Sequence, residues 1–224
     1  MNIKIVIDSA CDMSLADAEK SNIRIVPLKV FFGDKMYLDN VTLSHSEFYE
    51  KLIESTRLPT TSQITPYEFG QVFREETQAG NKVICITVSS KLSGTYQSAF
   101  LAAKDFENVA VVDSLNGSIG ERILADYGVS LINRGKSFEE IVETLNEEKN
   151  NIRLMAMLDT LEYLKKGGRI SGSAAMIGTL LNIKPILKGD ETGHIISCGK
   201  ARGKKAALQT LADKYAALAF DKKA

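Results

Sequence analysis

The stretch Lys82-Val83-Ile84-Cys85-Ile86-Thr87-Val88 decides the fold class, because its apolar side chains follow one another almost without interruption. Strands that are covered by helices on both faces of a parallel sheet have this composition. The stretch continues into the polar loop Ser89-Ser90-Lys91-Leu92-Ser93-Gly94 and then into a predicted helix over residues 95–104. It therefore predicts a central strand of a parallel α/β sheet.

Two other short apolar runs have the same character and also end in polar pairs. Residues 3–7 end at Asp8-Ser9, and residues 109–112 end at Asp113-Ser114. Predicted helices lie between and after these strands, as in parallel sheets with crossover connections. We therefore predict an N-terminal, mainly parallel α/β domain over residues 1–150.

Three local patterns in this domain give further expectations. Residues 23–30 are expected to form one strand, and Gly33-Asp34 a hairpin-like turn. The segment Thr60-Thr61-Ser62-Gln63 is expected to be a polar loop, and Pro66 fits the first turn of a following helix.

The pattern changes after residue 151. Strands are predicted at 153–158, 183–187 and 194–198, and helices at 161–166, 174–181 and 204–219. The strand pair around the turn at 189–193 favours a mixed or antiparallel sheet. The prediction is a second α/β domain over residues 151–224.

Composition excludes several classes of protein. The 224 residues contain 28 Lys plus Arg and 28 Asp plus Glu, so the net charge is zero. Disordered chains need low hydrophobicity with high net charge, and nucleic-acid binders usually carry a basic excess. Three scattered Cys and two His are poor material for a disulfide framework or a metal site. The N-terminal apolar stretch stops at Asp8, too early for a signal peptide or a membrane span, so we expect a cytoplasmic protein.

Polar side chains collect where the predicted strands end. They are Asp8-Ser9, Ser89-Ser90 with Ser93-Gly94-Thr95, Asp113-Ser114, and the separate segment 60–63. Ligands of open parallel sheets bind beyond the carboxyl ends of the strands, and hydroxyl groups with helix-start amides suit a carboxylate or phosphate. The alternative is that these Ser and Thr residues only cap helices and form turns.

A serine nucleophile is a second interpretation of this region. An α/β hydrolase would show G-x-S-x-G and a downstream His, whereas Ser93 precedes its glycine and only His194 follows it. Walker and G-x-G-x-x-G phosphate loops are also absent from the sequence. The sequence thus points to a binding site without an evident catalytic pair.

The segments together resemble the DegV family, over almost the whole chain. The resembling pieces are Ile7-Asp8-Ser9 with Asp12, Pro59-Thr60-Thr61-Ser62-Gln63 with Pro66, residues 89–99, Val112-Asp113-Ser114, residues 158–171 and residues 183–187.

The resemblance implies a two-domain protein that holds one long-chain fatty acid between its domains. It also implies a non-catalytic carrier, with no cofactor, that presents the bound acid to a separate ATP-dependent fatty acid kinase making an acyl phosphate. The positions matching the carboxylate-binding hydroxyls are Thr61 and Ser93, with Ser62 and Gly94 beside them. No nucleic-acid partner and no stable membrane insertion are expected.

Other residues are candidates for the remaining parts of such a site. Apolar candidates for an acyl tunnel are Ile86, Phe100, Met155, Met157, Met176, Ile177, Leu180 and Leu181, for which core packing is the alternative. Arg169 and Arg202 are candidates for docking the kinase, against the alternative of an ordinary solvated face. Family members usually continue into a Gly-rich segment with a ligand-contacting His, whereas this chain ends at Ala224, so a truncated C-terminal domain is expected.

Two other functions stay open at this point. The protein could be a regulatory module that senses lipid, or an enzyme built on Ser93 and Asp113. Neither acyl length nor oligomeric state follows from the sequence.

Overall fold

The computed structural model describes residues 2–170 and 182–218. The chain divides into two compact units, Met1–Ile152 and Arg153–Ala224. Each unit is described by itself below.

Unit 1 is built on a four-stranded parallel sheet of order β2-β1-β6-β7. Its strands are β1 (Asn2–Asp8), β2 (Ile23–Val26), β6 (Asn81–Thr87) and β7 (Val109–Asp113). Residues Ile5, Ile7, Ile84 and Ile86 face one side of this sheet, whereas Val6, Val83 and Cys85 face the other. Alternate side chains of a strand point to opposite faces, so the uninterrupted apolar runs supply both cores at once.

Helices cover both faces of the parallel sheet. The first core contains residues of α1 (Leu15–Lys20), α5 (Ile119–Asn133) and α6 (Phe138–Glu148). The second contains residues of α3 (Pro66–Gln78) and α4 (Thr95–Ala103). Pro66 occupies the first turn of α3, as predicted, and the helix starts with a capping box between Thr65 and Glu68. Helix α2 (His45–Glu54) has a capping box between Ser44 and Glu47.

A second, antiparallel sheet in unit 1 corrects two expectations. It contains β3 (Lys29–Phe32), β4 (Lys35–Leu38) and β5 (Thr60–Ser62) in the order β4-β3-β5. Residues 23–30 are therefore not one strand, because Pro27 has no N–H to continue a ladder and the chain changes sheet there. The segment 60–63 is not a loop, because residues 60–62 pair with β3, Thr61 opposite Val30. The predicted Gly33-Asp34 turn joins β3 to β4, with Gly33 at a φ of 61°.

Unit 2 contains a three-stranded antiparallel sheet of order β10-β9-β8. Its elements are β8 (Met155–Met157), α7 (Glu162–Lys166), β9 (Ile183–Gly189), β10 (Ile195–Arg202) and α8 (Lys204–Ala216). Helix α7 ends at Gly167-Gly168, where Gly168 takes a φ of 72°. The hydroxyl of Tyr215 on α8 accepts a hydrogen bond of 3.0 Å from the amide of Met155, which ties α8 to β8.

The predicted fold class, a mainly parallel α/β domain followed by an α/β domain with an antiparallel sheet, is confirmed. Within the described ranges, no helix has the length and apolar character that crossing a membrane requires.

Candidate functional site at the carboxyl edge of the parallel sheet

The strand order predicts where a ligand of this sheet would bind. From β1 the chain passes to the neighbouring strand β2 on one side. Strand β6 pairs with the other side of β1, and from β6 the chain passes to β7, away from β1. Connections that leave in opposite directions open a gap beyond the carboxyl ends of the two strands, and open α/β sheets bind ligands there. The polar pairs predicted from the sequence lie at this edge.

Asp8 holds the edge together. Its carboxylate accepts hydrogen bonds from the amide of Val88 at 2.8 Å and from the amide of Ala10 at 2.9 Å. The neighbouring Ser9 hydroxyl accepts a bond of 3.0 Å from the amide of Leu28, which leads into the antiparallel sheet. Asp8 is fully buried, and this desolvation raises its pKa to about 6 against the lowering effect of the two amides.

Glu121, in the first turn of α5, is a second buried acid near Asp8. Its two carboxyl oxygens have no hydrogen-bond partner in the part of the chain that the structure describes. Burial, and then the charge of Asp8, raise the pKa of Glu121 well above its usual range. The backbone of Asp8 acts in the opposite direction and lowers the pKa of Glu121, but burial outweighs it.

The loop from β6 to α4 presents hydroxyl groups and backbone amides. The amides of Leu92 and Ser93 donate to the carbonyl of Ser89 at 2.9 and 3.1 Å, which folds the loop back on itself. The hydroxyls of Ser93 and Thr95 lie 2.8 Å apart, and the Thr95 amide donates to the Ser93 oxygen at 3.2 Å. Ser93 and Gly94 therefore stand at the start of α4, where the helix dipole favours an anion.

The Ser93 hydroxyl is hydrogen-bonded to its neighbour on α4. It lies within hydrogen-bond distance of the Thr95 hydroxyl and accepts from the Thr95 amide. Asp113 is occupied elsewhere, since its Oδ1 accepts from the amides of Ser90 and Leu115, both at 3.1 Å. A general base bonded to the serine is the feature that nucleophilic catalysis needs.

Gln63 connects the segment 60–63 to the β6–α4 loop and to helix α4. Its Nε2 donates to the hydroxyl of Ser98 on α4 at 3.0 Å. Its Oε1 lies so close to the Gly94 backbone that a Cβ on Gly94 would be 1.9 Å away. Thr61 and Ser62 precede Gln63 on β5, with Thr61 exposed and Ser62 partly buried. The side chain of Gln63 therefore connects the two hydroxyl-rich segments predicted from the sequence, residues 60–63 and residues 89–99.

The remaining predicted site residues are dispersed. Ile86 is fully buried in the first core, whereas Phe100 is 47% exposed on α4, with its ring stacked on Tyr96. Met155 and Met157 are partly buried in β8 of unit 2. Their assignment to a tunnel stays a prediction, and Met176, Ile177, Leu180 and Leu181 lie outside the described residues.

The two arginines lie in unit 2. Arg169 follows α7 and donates from Nη1 to the carbonyl of Gly167 at 2.5 Å. Arg202 is the last residue of β10 and is exposed. Their role in docking a partner stays a prediction.

Three structural features at this edge were not predicted from the sequence: the Gln63 bridge, its anchor Ser98 and the buried Glu121. Gln63 and Ser98 are both part of the quoted motifs, and a glutamine directly after a hydroxyl-rich segment was the available signal. No group of three or more His, Cys, Asp or Glu suited to a metal ion occurs among the described residues.

The strand order and the hydroxyl and amide groups at the carboxyl edge of the sheet define an open-sheet α/β protein. Across residues 2–223 the chain matches the model of the DegV family, whose description is an uncharacterised protein. The chain belongs to the DegV family.

Relatives and solved structures agree with this assignment. A DegV domain-containing protein of Clostridium acetobutylicum is 40% identical over 214 residues, covering 94% of this chain and 76% of the relative. A structure titled for fatty acid binding of a DegV family protein from Thermus thermophilus has a TM-score of 0.88 and 36% identity, covering 97% of this chain and 78% of that one. A stearic acid-binding protein from Eubacterium ventriosum has a TM-score of 0.85 and 33% identity, with coverages of 95% and 76%.

Proposed function

We propose that this protein binds one long-chain fatty acid and holds its carboxylate at the carboxyl edge of the parallel sheet. The hydroxyls of Thr61, Ser62 and Ser93 and the backbone at Gly94 are the proposed donors. The observation that carries this proposal is the Gln63 contact with Gly94 and Ser98, which joins the two hydroxyl motifs. The printed descriptions of the similar structures as fatty-acid-binding proteins support the choice of ligand.

Hydroxyl and amide donors suit a carboxylate that must react later. A carboxylate cannot be left without partners beside an apolar chain, because an unpaired buried charge is costly. A fixed lysine or arginine would neutralise it and reduce its nucleophilicity. Neutral donors satisfy the oxygens and leave one of them able to attack a phosphoryl group.

The acyl chain would supply most of the affinity. About 14 methylenes at about 0.8 kcal/mol each give roughly 11 kcal/mol before the costs of ordering and association. We propose that the apolar candidates Ile86, Phe100, Met155, Met157, Met176, Ile177, Leu180 and Leu181 include the residues that contact it.

We further propose that the protein is a non-catalytic carrier in the cytoplasm that presents the acid to a separate ATP-dependent fatty acid kinase. The hydrogen bonding of Ser93 to Thr95, rather than to a base, supports a carrier over a hydrolase. Arg169 and Arg202 are the proposed docking residues. Turnover of acyl esters or of ATP by the purified protein alone would contradict this assignment.

The double variant Thr61→Ala, Ser93→Ala tests the head-group site. Hydrogen bonds to a charged group are worth about 1.5–3 kcal/mol each, so losing two should weaken palmitate binding at least about 100-fold. Native mass spectrometry of the purified protein first shows whether a fatty acid is bound, and titration of delipidated protein with palmitate then gives the affinities.

The matched control is Ser46→Ala, Thr144→Ala, which removes the hydroxyls of an exposed residue on α2 and of a partly buried residue on α6. Equal affinity of the two double variants would refute the assigned donors. Absence of any bound or titratable fatty acid in the unmodified protein would refute the function itself.

A further inference from the structure

We propose that Gln63 is a positioning residue that locks the edge strand β5 onto the β6–α4 loop and so sets the spacing of the Thr61 and Ser93 hydroxyls. This inference rests on the proposed function, because it names what assembles that site. Gln63 itself is not proposed to touch the ligand.

Strand β5 needs such an anchor, because its backbone pairing is short. It has three residues, and its register with β3 consists of Lys29 with Ser62, Val30 with Thr61 and Phe31 with Thr60. It is an edge strand of its sheet among the described residues. A strand held on one side by three residue pairs is free to shift unless a side chain fixes it.

The anchor point is a buried residue of a helix. Ser98 is only 3% exposed and lies in α4, where its amide donates to the carbonyl of Gly94 at 3.0 Å. Its hydroxyl accepts the Gln63 amide hydrogen at 3.0 Å. The side chain of the residue that directly follows the edge strand therefore reaches a buried hydroxyl in the first turn of α4, the helix that begins two residues after Ser93.

Gly94 supplies the room for this bridge. Its φ is −74°, a value that any residue can adopt, so the backbone conformation does not require glycine here. The space does, since a Cβ would lie 1.9 Å from Oε1 and 2.7 Å from Cδ of Gln63. An alanine at this position would displace the amide of Gln63 and break its bond to Ser98.

This geometry predicts that the two positions act as one unit. Gln63→Ala and Gly94→Ala should each weaken palmitate binding about tenfold, and the double variant should be no weaker than the weaker single variant. Titration calorimetry with palmitate gives the three affinities. Residues that act through a shared contact show such non-additivity, whereas independent effects multiply.

The control is Gln71→Ala, since Gln71 is an exposed glutamine on α3 whose amide donates to the Tyr67 hydroxyl at 3.1 Å. It should leave palmitate affinity unchanged. Hydrogen–deuterium exchange of residues 60–62 adds a readout that needs no ligand, and we expect exchange at least about fivefold faster in Gln63→Ala than in Gln71→Ala.

The outcomes separate the two proposals. If the unmodified protein binds palmitate tightly, the proposed function stands. The role of Gln63 is then overturned if the losses of affinity in the two single variants multiply in the double variant, or if amide exchange of residues 60–62 is unchanged in Gln63→Ala. Faster exchange in Gln63→Ala without palmitate binding by any form supports the bridge and overturns the proposed function.

Discussion

Replacing Phe73 with alanine should destabilise the protein by about 3–5 kcal/mol, the range measured for large aromatic side chains removed from cores. Phe73 has no exposed surface and lies in the core between α3, α4 and the parallel sheet. Its ring stacks on Phe69 with centroids 5.7 Å apart and meets Phe106 edge-on at 6.0 Å. The cavity left by alanine would border both rings.

Urea unfolding followed by far-ultraviolet circular dichroism measures this loss, because the chain contains no Trp to report by fluorescence. Tyr67→Ala is the matched control, since Tyr67 precedes Phe73 on the same helix, α3, and is 72% exposed. The control should change stability by no more than about 0.5 kcal/mol. A loss below about 1 kcal/mol in Phe73→Ala would contradict the placement of its ring in a packed core.

The parallel sheet could be predicted because each of its main strands has a nearly continuous apolar sequence. Residues 3–7 and 82–88 are apolar on both faces, and the structure uses both faces. The antiparallel sheet was harder, since the break at Pro27 falls inside an otherwise continuous pattern. Strand β5 has the composition Thr-Thr-Ser, and its pairing with β3 depends on tertiary context rather than on local preference.

The site was predictable to the extent that strand direction determines it. Parallel strands bring their carboxyl ends to one edge, which is enough to gather Asp8, Ser89 and Asp113. The contact of Gln63 with Gly94 was not predictable, because it depends on how the antiparallel sheet packs beside that edge. Glu121 resembles an ordinary first-turn acid favoured by a helix dipole, and nothing in the sequence indicates that it is buried.

Replacing Asp8 with alanine should cost about 2–4 kcal/mol at pH 7, since the buried amide of Val88 and the partly buried amide of Ala10 would lose their acceptor. Asparagine keeps the shape of Asp8 and one of its two acceptor oxygens, so we expect Asp8→Asn to lose less stability than Asp8→Ala. Some loss remains, because the NH2 group of asparagine would face one of the two amide donors and cannot accept its hydrogen. Urea unfolding of both variants beside Asp105→Asn, an exposed control, measures the difference. Equal stabilities of the alanine and control variants would contradict the bridging role of Asp8.

The pH dependence gives a second, independent measure of Asp8. Its pKa is raised from 3.8 to about 6 in the folded protein, so between these values the native state binds more protons than the unfolded state. Stability must therefore fall as the pH rises from about 4 to about 6, by about 3 kcal/mol for this group, and change no further above that. Glu121 contributes a loss of the same sign, because its pKa is also raised.

Subtracting the Asp8→Asn profile from that of the unmodified protein isolates the titration of Asp8 together with its effect on Glu121. The difference should show a slope between pH 4 and pH 6 from Asp8. A further slope of the same sign should follow at higher pH, because the charge of Asp8 raises the pKa of Glu121 and Asp8→Asn removes that charge. A flat difference would mean that the carboxyl group of Asp8 titrates alike in the folded and unfolded chain, contrary to its burial. A slope between pH 4 and pH 6 would show that ionisation of the carboxyl group joining β1 to the end of β6 costs stability, even though its hydrogen bonds to the amides of Val88 and Ala10 stabilise the edge.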